Sequence, residues 1–201
     1  MPVKSFRGGY DRNFAYLIWD ENTQRAITID PCMPKEILLA IKQKDLRLMF
    51  VINTHNDFDH VSGNAEVMKI TSAKLLEMKD NDKKVIDGMM IKCIATPGHT
   101  PDSKCYIINE AIFTGDTLFV GKVGGTGNEI ASRTQFASLK KLAMLDDNLK
   151  IYPGHDYGIS PTSTIGNERR NNPFIQRLDS FENFNWLKQN WLQYKKQHNL
   201  S

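Results

Sequence analysis

Seven residues of types that bind metal ions fall in four short motifs: T-H-N-D-F-D-H at 54–60, T-P-G-H-T at 96–100, T-G-D-T at 114–117 and P-G-H at 153–155. The first supplies His55, Asp57, Asp59 and His60. If that stretch runs extended, positions 55, 57 and 59 share a face; if it coils, His55 and Asp59 meet at i, i+4. Either geometry converges ligands. The other motifs add His99, Asp116 and His155. Imidazole with carboxylate is the donor mix of catalytic zinc, and of non-haem iron or manganese where positions stay open to water and substrate. No cysteine follows the same pattern, which argues against a closed structural zinc site.

Each motif follows a short apolar run. Val51-Ile52 precedes His55, Ile94-Ala95 precedes His99, Ile112-Phe113 precedes Asp116, and Ile151-Tyr152 precedes His155. Read singly, each also admits the plainer reading of a satisfied polar residue at a strand end. The fourfold repetition, which uses four of the five histidines, points instead to one site, because helix-covered sheets form their sites in the crevice at one end of the strands. Gly98, Gly115 and Gly154 stand just before three of the ligands and allow a tight turn with close approach to a bound ion.

The elements that must position these motifs alternate between strand and helix. Phe14 to Trp19 and Ala26 to Ile29 predict an opening hairpin, and Pro34 starts a helix striped by Ile37, Leu38 and Ile41. Leu46 to Ile52 reads as a strand covered on both faces. A helix from Ser62-Gly63-Asn64 to about Ile70 follows, then a short strand, a polar turn at Lys79 to Lys84, and a β region from Met89 to Ala95. Cys105 to Ile108 and Ala111 to Phe113 pair around Asn109-Glu110. Beyond a glycine-rich loop at 121–127, Phe136, Leu139, Leu142 and Leu145 mark a helix, and Leu149 to Tyr152 a strand. Thr164 to Pro173 reads as a loop, and Phe181, Phe184, Leu187 and Trp191 as the stripe of a closing helix. Trp186 and Tyr194 lie partly off that stripe, where a dimer contact is one reading.

Length, with 40% hydrophobic and 24% charged residues, fits one soluble domain over 1–201. The 26 basic against 23 acidic side chains leave +3, too slight a bias for nucleic acid or an anionic membrane. No apolar stretch is long enough to span a bilayer and no signal-peptide core stands at the start, so a cytoplasmic location is expected. Cys32, Cys93 and Cys105 are read as small buried apolar residues, with Cys32 alone a candidate to line a site.

The four motifs in this order, with F-T-G-D-T-L-F at 113–119 and T-I-G-N-E-R-R-N-N-P-F at 164–174, resemble the metallo-β-lactamase superfamily and, within it, the glyoxalase II-like hydrolases. The resemblance implies an α/β fold, a four-layer αββα sandwich of two mixed sheets flanked by helices, with two divalent metal ions at its edge. By position, His55 and His99 bind the first ion, Asp59, His60 and His155 the second, and Asp116 bridges them. Asp57 departs from the family, which more often places histidine there; it is retained as a ligand, with zinc the expected metal, and as a harder donor it leaves open a shift toward iron or manganese or a weak first site.

The resemblance also implies metal-assisted hydrolysis of a thioester such as an S-2-hydroxyacylglutathione by a metal-bridging hydroxide, with Asp59 holding it in line. Tyr157 matches a glutathione-contacting tyrosine, and Lys122, Arg169 and Arg170 are candidates for a glutathione carboxylate, with a surface salt bridge to Glu168 as the plainer alternative. The partner expected is therefore a small molecule, with the protein a monomer or homodimer. Two rival readings turn on Asp57: a one-iron persulfide dioxygenase using His55, His99 and Asp116, and a non-catalytic metal-binding protein with an impaired first site.

Overall fold

The computed structural model describes residues 1–198. Its first sheet has the strand order β1-β2-β3-β4-β5, formed by Val3–Gly8, Asn13–Trp19, Arg25–Ile29, Arg47–Ile52 and Lys74–Leu75. The second follows the order β13-β12-β9-β8-β7-β6, where β6 is Lys83–Ile86, β7 Met89–Ala95, β8 Lys104–Ile108, β9 Ala111–Gly115, β12 Lys150–Pro153 and β13 Ser163–Thr164. A small hairpin joins β10 (Leu118–Phe119) to β11 (Lys122–Val123). The helices are α1 (Pro34–Gln43), α2 (Phe58–Val61), α3 (Asn64–Thr71), α4 (Glu129–Ala143), α5 (Ile165–Asn171), α6 (Phe181–Gln189) and α7 (Trp191–Gln197).

The period of two sorts the strand residues into layers. On β2, Phe14, Tyr16 and Ile18 enter the core between the sheets, where they meet Ile91, Tyr106, Ile108 and Phe113. The alternate residues Ala15, Leu17 and Trp19 face outward against Ile37, Ala40 and Ile41 of α1 and Val67 of α3. On the other side, Cys105, Ile112 and Ile151 face Leu139 and Leu142 of α4 and Phe184 and Leu187 of α6. Three apolar clusters between four layers make the expected αββα sandwich.

Strand direction then fixes where the motifs go. β3 and β4 run parallel, as do β9 and β12, and β7 is antiparallel to β8, which is antiparallel to β9. The C-terminal ends of β7, β9 and β12 therefore share one edge of their sheet. β2 is antiparallel to β3, so Asn13 at its start reaches the same edge as the end of β3. Two bonds clamp the sheets together there: Phe14 N–H donates to Gly154 O at 2.8 Å, and Tyr16 Oη–H to Pro153 O at 2.6 Å.

Several elements differ from the sequence expectations. β1 precedes the predicted hairpin; its charged Lys4 and Arg7, three positions apart, suit an edge strand and hide it from a hydrophobicity pattern. Lys83 and Lys84 belong to β6 rather than to the polar turn. The glycine-rich stretch begins with β11, and Leu145 lies beyond the end of α4. The 164–173 stretch is mostly helical: Thr164 accepts the Asn167 N–H at 3.1 Å and caps α5. The closing helix is two helices meeting at Asn190, with Phe181, Phe184 and Leu187 buried and Tyr194 packed on Trp191. Trp186 stays exposed. Among the described residues no helix is long and apolar enough to cross a membrane.

Candidate metal centre

The T-H-N-D-F-D-H stretch is irregular in its first half and helical only in its second, so His55 and Asp59 do not meet on one helical turn. It leaves β4 in irregular backbone as far as Asp57, then turns into α2, so His55 and Asp57 precede the helix and Asp59 and His60 lie within it. His99 follows β7, Asp116 follows β9 and His155 follows β12. All seven residues meet. His55–Asp57–His99, Asp59–His60–His155 and His55–His60–Asp116 each place three donor atoms within 4.8 Å of one another. The first two triads share no residue. Asp116 stands between them, 3.6 Å from His99 Nε2 and 3.2 Å from His155 Nε2.

All four imidazoles are held the same way, with Nε2 toward the shared space and Nδ1 on a protein acceptor. His60 Nδ1 meets Asp30 Oδ2 at 3.0 Å, His99 Nδ1 meets Gly125 O at 2.9 Å, and His155 Nδ1 meets Asp11 O at 2.8 Å. His55 Nδ1 lies 3.0 Å from Thr54 Oγ1, whose own hydrogen goes to Asp30 Oδ2 at 2.7 Å. Nδ1 is thus the donor in each ring, and Nε2 is the nitrogen available to a cation.

Asp30 was not legible as part of a site. It sits in the left-handed region at φ 48°, fully buried, and also accepts the Thr54 N–H at 2.8 Å, so one carboxylate orients His60 directly and His55 through Thr54. Asn13, also buried, donates to Asp59 Oδ2 at 2.9 Å. Gly154 has no space for a side chain, since a Cβ would overlap Asp116 Oδ1 and lie 2.9 Å from His60 Cε1. Gly115, at φ 47°, turns the chain so that Asp116 points inward.

Two buried polar atoms have no hydrogen-bond partner in this cluster, His55 Nε2 and Asp116 Oδ1, and they are the atoms a cation would satisfy. Electrostatics agrees. Burial alone lowers the His60 pKa, yet Asp30 and Asp116 reverse that and lift it to about 11. Burial likewise opposes the charge on Asp116, but the imidazoles of His155 and His60 beside it hold its carboxyl well below the usual range. His155 is raised, burial being outweighed by Asp116, whereas burial and the neighbouring His60 lower His55. Without metal, protons hold the positive charge among the carboxylates; the residues fit a cation in their place. Cys32 is no rival ligand, since burial and then Asp30 push its thiol up to about 12.

The remaining candidates divide. The Tyr157 ring stacks on His155 at 4.7 Å, its hydroxyl donates to Asp11 Oδ2 at 2.5 Å, and Lys122 Nζ lies 4.3 Å from the ring centre. Burial, then Lys195 and Arg12, lower the Lys122 pKa. Lys122 and Tyr157 line a cavity of about 330 Å³ completed by Trp191 and Tyr194. Arg169 and Arg170 instead pair with Asp147, at 2.7 and 3.5 Å, beside the start of β12 and away from the His155 end. Glu168 binds neither arginine; it accepts the Gly121 N–H at 2.7 Å. A larger groove of about 790 Å³, beside Glu110 and Lys150, shares no residue with the cluster.

Comparison with known proteins agrees with this arrangement. Over 168 residues the chain is 30% identical to a probable hydroxyacylglutathione hydrolase, glo2, of Schizosaccharomyces pombe, covering 74% of this chain and 66% of that protein. It is 37% identical over 171 residues to a hydroxyacylglutathione hydrolase of Polaromonas sp., covering 75% and 64%. The chain thus spans about two thirds of the length of these relatives. The crystal structure of ETHE1 from Myxococcus xanthus superposes with a TM-score of 0.85 at 29% identity, over 95% of this chain and 91% of that one. Residues 8–94 match the family model described as metallo-beta-lactamase superfamily, and with the fold and the strand-end His/Asp cluster already in place, the chain belongs to the metallo-β-lactamase superfamily.

Proposed function

We propose that the protein is a binuclear metal-dependent hydrolase of thioesters, with S-2-hydroxyacylglutathiones as its substrate class. The observation that carries this reading is the division of the ligand cluster into two triads without a common residue, His55–Asp57–His99 and Asp59–His60–His155, with Asp116 between them. Zinc is the ion the imidazole-rich donor set suits first, and the Asp57 carboxylate extends that range to iron and manganese. When bound, the ions supply Lewis acidity, lowering the pKa of a water to about 7 and polarising a carbonyl.

The chain's own residues do the positioning. Asn13 fixes one Asp59 oxygen at 2.9 Å, which leaves the carboxylate aimed into the cluster to hold the attacking water. A thioester fits this site because a thiol of pKa about 8.5 leaves as thiolate without a protein acid. The cavity beside His155 takes the thiol carrier, with Lys122 set to meet a carboxylate and the Tyr157 ring packed on the ligand His155. The names of the two hydrolase relatives support glutathione as that carrier.

A second reading, a one-iron persulfide dioxygenase, draws on the likeness to ETHE1 and on Asp57, whose side chain is 48% exposed and lies near His55 and His99. The two separate in one assay on the metal-loaded protein. Thiol release from S-lactoylglutathione without oxygen uptake supports the hydrolase; oxygen consumption with glutathione persulfide and no thioester cleavage overturns it.

A further inference from the structure

One partly buried cation stands out beyond the cluster. Lys188, on α6, donates from Nζ to Gly124 O at 2.9 Å and to Gln135 Oε1. Gln135, fully buried on α4, donates Nε2 to the same Gly124 oxygen at 3.1 Å. The next carbonyl along, Gly125 O, accepts His99 Nδ1–H. Residues 124–126 have no regular structure, and a Cβ at Gly125 would meet nothing within 4 Å, so neither a ladder nor packing at Gly125 holds this segment. Its anchor is Gly124, pressed against Asp116 O and fixed through its carbonyl by two side chains. The other side of His99 hangs from the same helix: Ser138 donates to Pro97 O at 2.7 Å, and Gly98 lies directly on the Gln135 backbone.

We infer that Lys188 is a positioning residue for the metal centre, holding the Gly124–Gly125 segment so that Gly125 O keeps His99 with Nε2 turned toward His55 and Asp57. The inference rests on the reading of the cluster as a metal site. It gives the closing helix a role beyond covering the second sheet. Burial pushes the Lys188 pKa down to about 8 with no charged neighbour contributing, so the ammonium depends on these neutral oxygens for its solvation.

The test compares wild type, Lys188→Met and Lys188→Arg, with Gln135→Leu as a second route to the same loss. In metal-free protein, nitrogen-15 spectra of the histidine rings report the His99 tautomer. We expect a single Nδ1–H form in wild type and a mixture in Lys188→Met, with the other histidines unchanged. In zinc-loaded protein, chelator competition should show one of the two ions weakened by about 10- to 100-fold and the other retained. Arg, which keeps a donor and the charge, should recover most of that loss. If Lys188→Met does not fold, Gln135→Leu must show the same selective loss. Equal weakening of both ions, or an unchanged His99 tautomer, overturns the inference. Failure of wild type to bind two ions overturns the reading of the cluster, while the tautomer comparison in metal-free protein still decides the role of Lys188.

Discussion

Two aspartates of opposite character shape the metal centre. Asp57 is half exposed and held only by proximity to His55 and His99, at 3.6 and 3.3 Å. As a ligand, its removal should empty one side of the cluster: Asp57→Ala is expected to lower bound metal from two ions per chain toward one, measured by elemental analysis after gel filtration. Asp57→His, which restores the donor more usual in the family, should keep two. Asp30 is buried and touches no shared space, yet its two oxygens receive His60, the Thr54 hydroxyl and the Thr54 N–H. Asp30→Asn keeps the shape but turns one of the two acceptor oxygens into a donor, and should weaken metal binding by about 10- to 100-fold in a competition titration.

The difference in how these residues could be read has a physical cause. His55, His99, Asp116 and His155 were legible because each follows the end of a short apolar strand, a pattern visible along the chain. Asp30 and Asn13 act at one remove, and nothing local distinguishes Asp30-Pro31 from an ordinary strand-ending turn. Arg169 and Arg170 looked available because their partner Asp147 lies more than 20 positions away in sequence. Pairings of that span have no local sequence signature.

At the scale of elements, periodicity placed β2, β3, β4, β7, β8 and β9 within a residue or two, since their alternate residues face two different apolar layers. It missed α5, whose signal is a Thr164 cap and not a stripe, and β1, whose charged residues suit a sheet edge. The closing pair α6–α7 was read from its stripe, and Phe184 is the center of that contact, fully buried against Phe136 and Phe174. Phe184→Ala should destabilise the fold by about 3–5 kcal/mol in urea titrations. Lys188 on the same helix also gives α6 a pH signature. With its folded pKa near 8 and an ordinary lysine value of 10.5, the unfolded chain binds more protons between those limits. Stability attributable to this group therefore rises as pH climbs from about 8 to about 10.5, and Lys188→Met should flatten that rise in thermal melts.

On the scale of the whole molecule, two sheets from separate halves of the chain bring their motif-bearing ends to one edge, and the centre is built where they meet. Asp30, His55, Asp57, Asp59 and His60 come from the first sheet's connections, and His99, Asp116 and His155 from the second's. Metal bound there would join the two halves, so chelation should lower the melting temperature and, under the proposed function, abolish thioester cleavage. The most direct measurement of the central claim is an anomalous-scattering map of crystals grown from protein purified without added metal. Two ions are expected, one on His55, Asp57 and His99 and one on Asp59, His60 and His155, with Asp116 reaching both. A single ion held by His55, His99 and Asp116 would contradict it.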